Sequence, residues 1–198
     1  MPFDLLKAAA TVEALLVPPE IGTTAYPVLI MMSGLPGSGK SYLSQQLAEQ
    51  LPAVVIESDR VRKALFPQPD YSAQESAIVH RTCQEVIQRL LKKGVRVVFD
   101  ATNLVEFQRE LLYSLAEHSG AHLLIVRTVA PEQVIKERLE ERKAKGDGAS
   151  DADWRVYRRM SKSEQKIRRT HLCIDTSHDI DKAVQKVVRA VRRCRTGS

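Results

Sequence analysis

Residues 34–41, Gly34-Leu35-Pro36-Gly37-Ser38-Gly39-Lys40-Ser41, combine three glycines with an ammonium and a hydroxyl set side by side. Glycine reaches backbone conformations closed to other residues, so a run of this kind can turn successive N–H groups inward around an anion. Lys40 is then expected to reach the β- and γ-phosphates of a nucleotide, with the Ser41 hydroxyl on the Mg²⁺ that bridges them. Gly34, Pro36, Gly37, Ser38, Gly39, Lys40 and Ser41 form the expected cradle for ATP. A glycine-rich turn with an exposed lysine would spell the same letters, and context separates the two. Here an apolar run at 28–32 precedes the turn and a helical-looking stretch at 42–50 follows it.

Nucleotide binding alone does not name a reaction, and three further stations bear on it. Asp59, just after a second apolar run, could accept the proton of an attacking hydroxyl, and Arg62 one helical turn later could hold a phosphate. Asp59 could equally cap the helix that follows. Asp100 ends the run Val95, Arg96, Val97, Val98, Phe99 and could orient a metal-bound water, or act as a turn residue. Asn103 is open between a site role and a cap for the next helix. Arg138 and Arg142, four apart on one helix face, could close over a transferring phosphoryl group and exclude water. A solvated helix laced with Glu–Arg pairs is the competing reading.

The elements that must position these groups alternate between short apolar runs and helical patterns, the mark of a parallel-sheet α/β architecture. Strands are expected at 28–32, 53–57, 95–100, 122–129 and 171–175. Asp4 can cap a helix over 5–16 that ends at Pro18-Pro19. Ser72 with Glu75 forms a capping box, Pro131 suits a first helical turn, and Ser150 with Asp153 suggests another cap. Gly94 and Gly120 fall where helices end. Gly146 and Gly148 would permit hinge motion in a lid over about 138–150. Residues 1–27 are expected as an N-terminal helical extension and 28–198 as the nucleotide-binding domain.

Hydrophobic residues make up 43% and charged residues 27%, which excludes a disordered chain. The net charge of +6 is uneven: from Arg155 onward thirteen Lys or Arg face four acids, leaving about −3 elsewhere. That basic end could hold polyanions or serve solubility. Cys83, Cys173 and Cys194 lack metal-ligand spacing and are odd in number, so buried thiols in a reducing compartment are expected. No apolar run reaches transmembrane length, and Asp4 and Glu13 do not suit a signal peptide, so the protein is expected in the cytoplasm. Trp154 could stack on a base or simply pack, and the histidines receive no role.

Together these stations resemble the P-loop kinases that include phage-type polynucleotide 5′-kinases, zeta toxins and chloramphenicol phosphotransferase. The resemblance covers about 28–193. It implies a three-layer P-loop NTPase fold, a five-stranded parallel sheet of order 2-3-1-4-5, helices on both faces and a helical lid. It implies Asp59 as general base, Arg62 on the acceptor and the transferred group, Asp100 in a modified Asp-Thr-Asn element, and Arg142 as lid arginine. Thr176 would lie near the adenine. The expected activity is transfer of the γ-phosphate of MgATP to a hydroxyl, on a small molecule or a 5′-OH polynucleotide end. The alternative from another class is a nucleotide-dependent switch that needs no acceptor.

Overall fold

The computed structural model describes residues 3–16, 18, 21–145 and 151–194. Pro19, Gly146, Gly148 and Ser150, which carried expected helix-stop, hinge and capping roles, lie outside them. Five parallel strands, β1 (Val28–Ser33), β2 (Ala53–Glu57), β3 (Arg96–Asp100), β4 (His122–Val129) and β5 (Leu172–Asp175), form one sheet of order β2-β3-β1-β4-β5. The sheet is a P-loop NTPase fold, as expected. Strand limits differ from expectation by one residue at β1, β3 and β5.

β1 is central and every one of its residues is buried. Its alternate residues feed two separate cores, which is why the run reads as continuously apolar. Leu29 and Met31 belong to one core with α4 (Ala73–Lys92), α5 (Glu106–His118), α3 (Ser58–Leu65) and α1 (Leu5–Leu16). Val28, Ile30 and Met32 pack against α2 (Lys40–Gln50) and α8 (Ile180–Arg193). The result is three layers. The remaining helices, α6 (Glu132–Lys145) and α7 (Trp154–Ser161), share a small cluster of Ile135, Leu139 and Tyr157 beside the sheet's carboxyl end. Trp154 stacks on Tyr157 at 4.7 Å and 11°, so its role here is packing.

Local signals explain most helix limits. The Lys7 amide donates to Asp4 Oδ1 at 3.0 Å, and Ala9 and Val12 of α1 are fully buried against the sheet-facing core. Ser72 caps α4 by accepting from the Glu75 amide, but the Glu75 carboxylate does not return to Ser72 as a capping box requires. It accepts from the amides of Asp70 and Tyr71 and from Arg62 instead. Pro131 sits one residue before α6, its carbonyl accepting from the Ile135 amide. Asp153 caps α7 through the Val156 amide. Cys83, in α4, is fully buried among apolar side chains. No described helix is long and apolar enough to cross a membrane.

One charged residue holds the backbone behind the site. Arg109 of α5 is 1% exposed, and its guanidinium donates to the carbonyls of Asn103, Leu104 and Lys166. It therefore joins the chain after β3 to the chain before β5. Arg109→Met should lower unfolding free energy by about 3–5 kcal/mol, because three buried charge-assisted bonds vanish at once, the Lys166 carbonyl loses its Arg109 donor, and Asn103 and Leu104 keep only the donors Ser33 and Gln165. Urea denaturation of the variant beside the parent protein measures this directly.

Candidate active site

The turn after β1 is held from three directions. The Gly34 amide donates to the Thr102 carbonyl at 3.0 Å, and the Ser33 hydroxyl reaches the Asn103 carbonyl at 3.2 Å. On the other side, Ser38 Oγ and Thr128 Oγ1, at the end of β4, lie 2.7 Å apart. Thr176, just beyond β5, donates its hydroxyl to the Ser38 carbonyl at 2.9 Å. Two glycines are required by this close packing. A Cβ on Gly34 would stand 2.6 Å from Thr128 Oγ1, and one on Gly39 (φ 84°) would stand 2.8 Å from Thr176 Oγ1. Gly39 is also the N-cap of α2 and offers no side chain to its first turn. That turn lines the cleft, which therefore receives the positive end of the helix dipole.

Lys40 is 8% exposed, and its ammonium donates to the Leu35 carbonyl at 3.0 Å. Burial lowers its pKa, and the carboxylates of Asp100 and Asp59 work in the opposite sense. Asp100 stands at the mouth of β3 with only 5% exposure. Burial raises its pKa, while Lys40 and a hydrogen bond with Ser41 pull it down. The hydroxyl and the carboxylate expected to hold a metal thus line the cleft side by side. Among the described residues no group of three His, Cys, Asp or Glu could cage an ion. One hydroxyl and one carboxylate suit a hard cation that keeps waters and takes its remaining oxygens from phosphates, as Mg²⁺ does.

Asp59 lies in the first turn of α3 and is not its cap; Glu57 occupies that position without a side-chain capping bond. The capping alternative is therefore overturned. Asp59 faces the cleft together with Lys40, Asp100 and Arg142, in a space of about 750 Å³. Glu57 at its edge has a raised pKa, first from burial and next from the Asp100 charge. Arg62 lines the same cleft, but its guanidinium already has partners: a buried ion pair with Glu75 and a bond to Ser76 Oγ at 3.2 Å. Nothing in the local sequence pattern announced Glu75 as that partner, because its spacing from Ser72 read as a cap. His80, given no role from sequence, also lines the cleft; burial foremost and Arg62 next lower its pKa.

The two arginines of α6 are half-buried and line the cleft, which sets them apart from the solvated face of that helix. Arg138 donates to the Thr176 hydroxyl at 2.9 Å and its carbonyl at 2.7 Å. Arg142 donates to the Ala152 carbonyl. Thr176 is close to the phosphate turn, where its hydroxyl braces the backbone. Asn103 does not cap α5, whose N-cap is Val105. It is fully buried at φ 45°, and its side-chain amide donates to the Met32 carbonyl at 2.7 Å, fixing the end of β1. Thr128 was missed from sequence, although its place at a strand's carboxyl end was a usable signal.

Comparison with known proteins agrees with this architecture. A family described as AAA domain matches residues 29–167. The 6-phosphofructo-2-kinase/fructose-2,6-bisphosphatase 1 of Rattus norvegicus is 26% identical over 149 residues, which are 66% of this chain and 31% of that protein. The chain thus spans under a third of that relative's length. Among solved structures, the Mycobacterium tuberculosis APS kinase CysC bound to AMPPNP and APS superposes with a TM-score of 0.66 at 21% identity, covering 85% of this chain and 99% of that one. A gluconokinase from Sinorhizobium meliloti gives 0.60 at 20% identity, covering 86% and 94%.

The packing around Gly39 yields a direct test. Gly39→Ala forces a left-handed alanine against Thr176 and should destabilise the fold by about 1–2 kcal/mol or more. A thermal melt that matches the parent protein would show that the turn is not braced as described.

Proposed function

The chain belongs to the AAA domain family, and from that premise we propose that it is a kinase that transfers the γ-phosphate of ATP to a hydroxyl. The observation that carries this reading is the convergence of Lys40, Asp59, Asp100 and Arg142 on one cleft beside the braced turn. A switch or motor needs the phosphate turn but has no use for an additional carboxylate placed to meet an acceptor. Mg²⁺, when bound with the nucleotide, would neutralise charge on the phosphates.

In this reading the amides of Gly37, Gly39, Lys40 and Ser41, which line the cleft, and the Lys40 ammonium hold the phosphate chain, and Ser41 with Asp100 supplies the metal-facing oxygens. Arg138 and Arg142 face the transferring group from α6. Asp59 accepts the acceptor's hydroxyl proton while the oxygen bonds the γ-phosphorus and the bond to ADP breaks. Arg62, held by Glu75, lines the acceptor side. The mouth includes Val156, Arg159 and Met160 of α7, which limit the entry of water.

A small alcohol is the acceptor class we favour, in line with structural neighbours named APS kinase and gluconokinase. One observation favours a 5′-OH nucleic-acid end, the acceptor implied by likeness to polynucleotide kinases. Arg158, Arg159 and Lys162 are exposed on or just after α7, and Arg159 lines the cleft. Incubation with γ-labelled ATP and either a panel of small alcohols or a 5′-OH oligonucleotide separates the two. Label on the oligonucleotide alone would reject the small-alcohol reading.

Asp59→Asn supplies the test of mechanism. Affinity for AMP-PNP measured by calorimetry should stay within about threefold, while phosphoryl transfer should fall by about 100-fold or more. Transfer at the parent rate would remove Asp59 as the base.

A further inference from the structure

Tyr71, in the connection from α3 to α4, is an aromatic residue in the left-handed region with φ 56°. Such a backbone persists only where its surroundings hold it, and it recurs at functional sites. The surroundings here are specific. The Tyr71 amide donates to Glu75 Oε1 at 3.3 Å, and the Arg62 guanidinium lies over the ring, 4.8 Å from its centroid. Its hydroxyl donates to the Asp151 carboxylate, which also receives the Lys63 ammonium at 3.1 Å. The next carbonyl, that of Ala152, accepts from Arg142. Two successive residues at the entry of α7 are therefore tied by donors from α3, from the α3–α4 connection and from α6.

An exposed Lys–Asp pair alone would mean little. Three donors from separate elements meeting on residues 151–152 are a different matter, because every one of those elements also lines the cleft. Burial, and after it the bond and charge of Asp151, raise the Tyr71 pKa, so the hydroxyl remains a donor. The same bond, with Lys63, holds the Asp151 pKa below the usual carboxylate range.

We propose that Tyr71 is a positioning residue that locks the entry of α7 across the cleft, setting the plane of Arg62 through its ring and the place of Arg142 through Asp151 and Ala152. The lock is a geometric claim; its effect on chemistry rests on the kinase reading above. Without it the mouth loosens, and water competes for the phosphoryl group that Arg142 should steer.

Trp154, the single tryptophan of the chain and the first residue of α7, reports on the lock without any turnover. Tyr71→Phe removes only the hydroxyl, and Asp151→Asn weakens the same bond from the other side. Each folded variant, checked by circular dichroism, should show a red-shifted Trp154 emission and greater acrylamide quenching, and the double variant should add little to either. Acceptor-free hydrolysis of MgATP should rise by about 2- to 10-fold, the range of one lost hydrogen bond, and Tyr71→Leu should exceed both because it also removes the ring from the face of Arg62. Emission and quenching unchanged in Tyr71→Phe would overturn the lock. Changed quenching with unchanged hydrolysis, in a protein that binds AMP-PNP, would overturn the positioning role. Failure of the parent protein to bind AMP-PNP would instead reject the kinase reading, and the quenching result would still decide the lock.

Discussion

The site depends on one constraint: the backbone at 34–39 must turn so tightly that two threonine side chains occupy the space where Cβ atoms would otherwise stand. Thr128 and Thr176 reach it from the ends of β4 and β5, on one side of β1, while the Thr102 and Asn103 carbonyls reach it from beyond β3 on the other. These contacts exist only when β1 lies between β3 and β4. The strand order is therefore a condition of the phosphate turn as well as a packing outcome. Each clamp also fixes a second feature. Thr176 gives Arg138 its anchor, and Asn103 gives Arg109 one of its three carbonyls.

Charge in the cleft follows from the same crowding. Lys40 and Asp100 both lie almost out of water, so each disfavours its own ionised form and each is helped by the other. Arg62 and Glu75 form a second buried pair, and removing either partner would strand a charge at a cost of about 3–5 kcal/mol. The site is an arrangement of charges that stabilise one another at close range and would be poorly stable one by one. That is the preorganisation the proposed phosphoryl transfer would require, since in such a reaction a protein contributes position and field more than covalent chemistry.

Much of this was legible in the sequence because it depends on local pattern. β2 and β4 fall where their apolar runs place them, and Gly94 and Gly120 follow the helices they were expected to end. The turn at 34–41 was readable because glycine, lysine and serine have few other reasons to occur at that spacing. Less legible were roles decided by distant partners. Glu75 has the spacing of a cap, yet its carboxylate turns to Arg62, thirteen residues back, and to two loop amides. Asn103 resembled a cap but serves β1, 71 residues away. Arg109 carried no motif, since a guanidinium satisfied by carbonyls has no sequence signature. Asp59 was resolved by a shift of two positions in the start of α3, a distance within the ordinary uncertainty of helix ends.

Cys83 has a consequence outside the chemistry of the cleft. Burial in α4 against the sheet pushes its thiol up to about 12, leaving almost no thiolate at neutral pH. Cys173 is exposed and Cys194 half covered, so an alkylating reagent meets a fast, a slower and a nearly silent thiol in one polypeptide. Once the first two are capped, the pace of labelling at Cys83 becomes a clock for separation of α4 from the strands. Mass spectrometry could then follow breathing of the core beneath Arg62 and Tyr71 with no engineered probe.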